Sequence, residues 1–328
     1  MKVFVTGATS SIGVHLVKYL LDKKYTIHIL TRSSRKLPFQ SPDIIYFEGE
    51  INNINTIMSA MQDCEQVYHL AANAKVWLKN PSEYFETNVK GTQNVLKVAY
   101  LLGVKKIVVT SSAGSFGPSI SGMVDEHKTR EVDFFNEYES SKALMELRVK
   151  EFVLEKSMNI VIVSPTRVYG PVLVGPESSV TLLIKKFLFD KWRIIPGSGK
   201  EIGNYAFVKD VALGHIQAME RGTSGQTYIL GGENCTYFDL FDRLKKLAGI
   251  NRKMFVSPFW VQKQIAYFQL LKANGFNIEP KITPKWIAKG KFNWEVSSQK
   301  AMNELGYCIT PLNKGIQETI EFLRNKNH

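Results

Sequence analysis

Three side chains of this 328-residue chain have the types and spacing needed to move a proton to and from a carbonyl oxygen: Ser112, Tyr138 and Lys142. Lys142 follows Tyr138 by four residues inside Tyr138-Glu139-Ser140-Ser141-Lys142-Ala143-Leu144-Met145-Glu146, a run of good helix formers. One helical turn would stack the ammonium beside the phenol. An unperturbed tyrosine titrates near ~10, and a fixed cation beside it would lower that value and let the oxygen exchange a proton with a substrate hydroxyl near neutral pH. Ser112 would hydrogen-bond the same substrate oxygen. A tyrosine and a lysine at this spacing are also an ordinary helix-surface pair, so the reading depends on the elements that hold them.

The chain opens with the apolar, β-prone run Lys2-Val3-Phe4-Val5, then Thr6-Gly7-Ala8-Thr9-Ser10-Ser11-Ile12-Gly13, then apolar residues at helical spacing through Val14, Leu16, Val17, Leu20 and Leu21. This predicts a strand, a tight turn and a helix. Gly7 and Gly13 would let the backbone approach a pyrophosphate, which the free N–H groups of a helix starting near Ser11 would bind; Thr9, Ser10 and Ile12 complete that turn. Ser10 stands where such turns usually carry a middle glycine. The second strand, Thr26-Ile27-His28-Ile29-Leu30, ends at Thr31-Arg32-Ser33-Ser34-Arg35-Lys36, without the acid that accepts the ribose hydroxyls of NAD. Three cations suit a 2′-phosphate, so the expected cofactor is NADP(H), with Arg32 as the main contact, Arg35 beside it and NAD(H) the alternative. A solvated basic loop is the plain reading of the same residues.

A third strand, Ile44-Ile45-Tyr46-Phe47, leads to Gly49-Glu50-Ile51, placing a carboxylate and an apolar side chain where an adenine could lie. Val67-Tyr68-His69-Leu70-Ala71-Ala72 reads as a fourth, buried strand ending in small residues that leave room for a ligand, and Ile107-Val108-Val109-Thr110 as a fifth, followed at its carboxyl end by Ser111-Ser112-Ala113-Gly114. The expected fold class is α/β, a doubly wound parallel sheet with a second, smaller, mostly helical domain.

With these motifs assembled, the chain resembles the extended short-chain dehydrogenase/reductase family over nearly its full length. The resemblance implies a cofactor turn at Gly7, Ser10 and Gly13, adenine contacts at Glu50 and Ile51, the strand end Leu70-Ala71-Ala72, and a structural asparagine, Asn88, in Thr87-Asn88-Val89-Lys90-Gly91-Thr92. It implies Ser112, rather than Ser111, as the catalytic hydroxyl, with Tyr138 as acid/base and Lys142 on the nicotinamide ribose. Thr110, Pro165, Thr166 and Val168 would pass the nicotinamide. Within the family the nearest likeness is to dihydroflavonol reductases and 3β-hydroxysteroid dehydrogenases, through Thr110-Ser111-Ser112-Ala113-Gly114 and Gly225-Gln226-Thr227-Tyr228-Ile229-Leu230-Gly231-Gly232-Glu233-Asn234. The branch acting on nucleotide sugars carries an arginine before its Asn/Asp-Tyr/Phe pair; here Gly203 precedes Asn204-Tyr205. The resulting expectation is an NADP(H)-dependent reductase of a hydrophobic ketone or aldehyde. An epimerase or dehydratase of a sugar derivative is the runner-up, and a cofactor-sensing or scaffold protein on the same fold the rival from another class.

The length suits two lobes: residues 1–170 completed by 205–232 for the dinucleotide, 171–204 and 233–296 for the substrate, and a C-terminal helical segment over 297–328. A net charge of +12 favours anionic small molecules or an acidic surface, while scattered basic residues without a nucleic-acid-binding motif argue against nucleic acid. Cys64, Cys235 and Cys308 lie far apart, fitting neither a disulfide framework nor a zinc site and suiting a reducing cytoplasm. No leader and no apolar run of bilayer length is evident. The aromatic stretch from Ser257 to Leu271 reads first as a core-packing helix, with a pocket wall or peripheral contact with an anionic membrane as its other uses. The resemblance implies a homodimer through helices near Asn88–Tyr100 and Tyr138–Phe152.

Overall fold

The computed structural model describes residues 1–33, 38–189, 191–276 and 278–326; the expected contact Arg35 lies outside them. Continuous runs of Val and Ile, which only a sheet covered on both faces can bury, alternate with helices through the first half. In order these are β1 (Lys2–Thr6), α1 (Ser11–Asp22), β2 (Thr26–Thr31), β3 (Ile44–Glu48), α2 (Ile54–Met61), β4 (Gln66–His69), α3 (Ser82–Phe85), α4 (Thr92–Leu101), β5 (Lys106–Thr110), α5 (Glu137–Lys156) and β6 (Ile160–Pro165). The second half continues through β7 (Arg167–Tyr169), α6 (Ser179–Leu188), β8 (Ile194–Pro196), β9 (Ile202–Phe207), α7 (Val208–Arg221), β10 (Thr227–Leu230), β11 (Glu233–Thr236) and α8 (Tyr237–Ala248). It ends with β12 (Phe255–Ser257), α9 (Phe259–Phe276), α10 (Pro284–Lys289), α11 (Gln299–Leu305) and α12 (Leu312–Lys326).

Seven of these strands form one sheet in the order β10-β6-β5-β4-β1-β2-β3, and every neighbouring pair is parallel. On one face Val3, Val5 and Ile29 pack with Leu16 and Leu20 of α1 and Val211 and Ile216 of α7. On the other, Phe4, Val67 and Val109 pack with Ile57 of α2, Val95 of α4 and Met145 of α5. This is the doubly wound α/β architecture expected from the sequence. Its strand order reverses between β1 and β4, where the carboxyl ends open a crevice.

A smaller layer holds the sheets β11-β9-β7 and β12-β8. Tyr169, Phe187, Phe241, Leu244 and Ile316 form its core, joining α6, α8 and α12, while Ala301 and Leu305 of α11 pack into the large-sheet core.

Two local readings are corrected. Strand β4 stops at His69, so Leu70, Ala71 and Ala72 lie in the following connection; the Leu70 amide still bonds Thr6 O (3.1 Å), but β1 also ends there and offers no further ladder partner. The aromatic stretch is not a core-packing helix. Among the residues of α9 whose burial is described only Ala266 and Ala273 are fully buried, whereas Trp260 (70% exposed), Phe268 (58%) and Leu271 (69%) face outward.

Candidate active site

The cofactor turn is built by steric exclusion. Gly7 has φ +73, and a Cβ there would come within 2.6 Å of Ala71 N, so only glycine lets β1 turn this close to the strand end opposite. A Cβ on Gly13 would collide with Gly7 O, which fixes α1 directly against the turn. Ser10 caps α1 by accepting from Gly13 N (3.0 Å), leaving its own O–H free to donate. The residues present therefore fit a dinucleotide pyrophosphate: open helix N–H groups, a hydroxyl donor, and a backbone without side chains in the way.

Beneath the turn runs a network of neutral groups. Thr92 Oγ1 donates to Asn88 O (2.7 Å) and accepts from His69 Nε2 (2.9 Å). His69 Nδ1 accepts from Thr6 Oγ1 (2.7 Å), whose oxygen takes the Ala71 N–H (3.2 Å). This assignment needs a neutral imidazole, and burial, reinforced by the Lys142 charge, pushes His69 down to about 3. Asn88 lies inside the π-helical turn Glu86–Gly91; it accepts from Asn73 N (2.7 Å) and donates to Ser141 Oγ (2.9 Å), tying the crevice loop to α5. The structural asparagine thus lies against the helix carrying Tyr138 and Lys142.

The three candidate side chains are held between the end of β5 and one face of α5. Thr110, Ser111 and Ser112 leave β5 in succession, and each meets one residue of the column Tyr138, Lys142 and Glu146 on α5. Lys142 Nζ donates to Thr110 O (2.8 Å), Ser111 Oγ donates to Glu146 Oε1, and Ser112 lies beside Tyr138, close enough to favour its ionised form. Ser115 Oγ adds a second contact to Glu146 (2.9 Å). The segment then turns into a short 3₁₀ helix, Ala113–Ser115, capped by Ser112 Oγ accepting from Gly114 N (3.2 Å).

Electrostatics here depart from the sequence expectation. The Tyr138 phenol is raised above its ordinary value, burial outweighing the Ser112 hydroxyl beside it, and Lys142 does not lower it. The ammonium is turned to the Thr110 carbonyl, and burial brings Lys142 itself down to about 8, opposed by the Glu146 charge. The Glu146 carboxyl is in turn pushed up by burial, against the pull of Ser111, Ser115, Lys150 and Lys142. Glu146 was not singled out in the sequence; its signal was the i, i+4, i+8 column it completes with Lys142 and Tyr138.

The remaining expected contacts are spread along the crevice. Thr9 lies in the turn, where its carbonyl meets the loop at Gly175. Ser11 and Ile12 open α1. Arg32 is exposed just after β2. Glu50 is exposed, while Ile51 fills the space above Gly91 with its carbonyl held by Asn94 Nδ2 (3.2 Å). Pro165 ends β6 beside β5. Thr166 Oγ1 turns to Asn204 Oδ1 (2.7 Å), and Val168 packs against the core.

A cationic group also escaped the sequence reading. Glu139, fully buried, accepts from Arg130 Nη2 (2.7 Å) and pairs with Lys289 Nζ (2.8 Å) at the end of α10. An imagined Cβ on Gly114 would lie 3.3 Å from Ser112 Oγ and 3.4 Å from Lys289 Nζ, so hydroxyl and ammonium are neighbours. These residues are remote in sequence, and no local pattern links them.

The model of the NAD dependent epimerase/dehydratase family matches residues 3–231, covering the glycine turn, the three candidate side chains and β10. The chain belongs to that family. Its members are NAD(P)-dependent oxidoreductases, epimerases and dehydratases, and this family protein is accordingly an enzyme of the extended short-chain dehydrogenase/reductase type. A Synechocystis protein whose name provisionally assigns it as a dihydroflavonol 4-reductase is 27% identical, over 99% of this chain and 95% of its own. Sterol demethylase protein B of Methylococcus capsulatus is 28% identical over 99% of both. A dTDP-glucose 4,6-dehydratase of Streptomyces venezuelae, solved with NAD bound, shares the fold at a TM-score of 0.80 and 21% identity, over 100% of this chain and 98% of that one. The family uses nicotinamide cofactors, and the Gly7–Gly13 turn is where such a dinucleotide would be held.

Proposed function

We propose that this enzyme interconverts a hydrophobic ketone or aldehyde and its alcohol with NADP(H), through Ser112, Tyr138 and Lys142. The observation that carries the reading is the placement of Ser112 beside Tyr138 at the carboxyl end of β5, with a buried ammonium one helical turn away that donates to Thr110 O (2.8 Å). A bound nicotinamide supplies hydride to the carbonyl carbon or takes it back. In the reductive direction Ser112 donates to the substrate oxygen as negative charge grows there, and Tyr138 gives that oxygen its proton. A phenol raised by burial is protonated at neutral pH and ready to donate. Lys142, poised near 8, is placed to restore the proton and to hold the cofactor ribose.

Arg32, following β2 with no acid at Thr31 or Ser33, supports NADP(H) over NAD(H). Residues 1–170 with 205–232 would form the cofactor lobe, and 171–204 with 233–296 the substrate lobe. Exposed Tyr100, Leu101, Leu147 and Leu154 on α4 and α5 support a homodimer through these helices. Among the described residues no helix is long and apolar enough to cross a membrane. The outward Trp260, Phe268 and Leu271 of α9 instead support peripheral contact with an anionic bilayer, because Lys272 lies over Phe268 (4.6 Å) and Lys263 over Tyr267 (5.8 Å), joining cations to the apolar surface. Co-sedimentation with phosphatidylserine vesicles should fall severalfold in a Trp260→Ser/Leu271→Ser variant; equal binding would exclude this contact.

The test of the main reading is nicotinamide absorbance with NADPH and NADH against aromatic, steroidal and acyl ketones. Stoichiometric consumption, faster with NADPH, is expected. Conversion of a sugar nucleotide without net consumption would assign the site to epimerisation or dehydration.

A further inference from the structure

Beyond the reacting groups, one cation of the site has no acid to neutralise it. Arg167, the first residue of β7, is enclosed between two phenols: its guanidinium lies 5.9 Å from the Tyr205 ring and 5.8 Å from that of Tyr237, and Nη1 donates to Tyr237 Oη (3.2 Å). No ion pair to Arg167 occurs among the described residues. A guanidinium cannot shed its proton to relieve burial, so an enclosed one normally keeps a carboxylate beside it. The Tyr205 hydroxyl, on a residue only 2% exposed, also makes no hydrogen bond of good geometry. Nη1 and this hydroxyl lie 2.6 and 3.0 Å from the point a Cβ on Gly203 would occupy, so guanidinium and hydroxyl come together beside a backbone that only glycine leaves clear of them.

The second cation, Lys289, stands over Trp294 (4.4 Å) and near Ser112. Its charge and that of Arg130 are met by the single carboxylate of Glu139. Arg130 is otherwise spent on the carbonyls of Gly114, Val132 and Asp133, a structural role. Arg130 and Lys289 thus share one anion, while Arg167 has none among the described residues. Burial pushes the Lys289 ammonium below its ordinary range against the support of Glu139, and the charges of Arg167 and Arg130 add to that push.

We infer that the substrate carries an oxyanion, a carboxylate or a phosphate-type group, which Arg167 binds with help from Lys289 and the Tyr205 hydroxyl while its carbonyl reaches Ser112 and Tyr138. This rests on the oxidoreductase reading and deepens it: the substrate is an amphipathic carbonyl compound, apolar in body and anionic at one end. The guanidinium offers two parallel N–H donors to such a group, and the tyrosine and tryptophan rings exclude the water that would weaken the pair.

The test uses full-length enzyme and a matched pair, an aryl ketone bearing a distal carboxylate and its methyl ester, with UDP as a diphosphate competitor. NADPH consumption gives kcat/KM, and calorimetric titration into the NADP⁺-loaded enzyme gives affinity. A preference for the acid over the ester of roughly 10- to 100-fold in both readouts is expected, or competition by UDP where the oxyanion is a diphosphate. Arg167→Gln should shrink the acid-to-ester ratio by about 10-fold, and Arg167→Lys should retain part of it. Equal affinity for acid and ester, with no competition by UDP, overturns the anchor even in wild-type protein. Tight, selective binding of the acid without any NADPH consumption instead keeps the anchor and removes the oxidoreductase reading.

Discussion

The two ends of the site are built on opposite terms. At the reaction end each polar group has a protein partner in register: Thr110 with Lys142, Ser111 with Glu146, Ser112 with Tyr138. At the anchor end Arg167 and the Tyr205 hydroxyl are enclosed but incompletely matched. A closed network fixes geometry before anything binds, which suits a proton transfer whose atoms must be placed within fractions of an ångström. An open one is costly in the empty protein and is repaid only by a ligand of the right charge, which suits selection of substrate.

The largest effect that would break this contrast is at the reaction end. Tyr138→Phe should lower kcat by about 10²- to 10⁴-fold, while NADPH affinity by fluorescence titration stays nearly intact. Comparable loss of both would make Tyr138 a structural residue. Glu146→Gln keeps an acceptor for Ser111 and Ser115 but removes the charge that supports the Lys142 ammonium. The basic limb of the kcat/KM profile, expected near 8 in the native enzyme, should therefore move down by about one pH unit. An unmoved limb would mean that Glu146 only packs.

The smallest effect concerns acid stability of the network under the crevice. His69, and His215 of α7 whose ring meets Thr110 Oγ1 (2.9 Å), are held neutral by burial, with folded-state values of about 3 and about 4 against 6.5 when free. Between those values the unfolded chain binds more protons, so the contribution is whole above 6.5 and is lost as pH falls toward 4. Each histidine costs up to about 1.4 kcal/mol per pH unit in that window. The thermal midpoint should drop from pH 6.5 to pH 4.5, and His215→Asn should flatten part of the slope; a flat native profile would contradict the neutral network.

Much of the reaction end was legible because its parts are local. A glycine turn, a strand end and a four-residue helical step are short-range patterns, and the apolar runs announce a sheet buried on both faces. Spacing places Tyr138 and Lys142 on one helix face without saying where the ammonium points, and in the structure it donates to the Thr110 carbonyl. The anchor was invisible for a different reason. Arg167, Gly203, Tyr237 and Lys289 come from four separate segments and meet only when β7, β9, α8 and α10 close around the crevice. Gly203 was read as the loss of a cation that a basic residue elsewhere could replace, and the guanidinium of Arg167 lies in the space beside it. Helix α9 was misassigned because its apolar residues are spread around its circumference, so composition alone gave no inward face.

The most direct test of the central claim is transfer of label from NADPH deuterated on the nicotinamide to a ketone bearing a carboxylate. One deuterium in the isolated alcohol for each NADPH consumed is the predicted result. Label retained entirely on the cofactor, with bound ketone unchanged or a sugar substrate merely inverted, would contradict the assignment of Ser112, Tyr138 and Lys142 to carbonyl reduction.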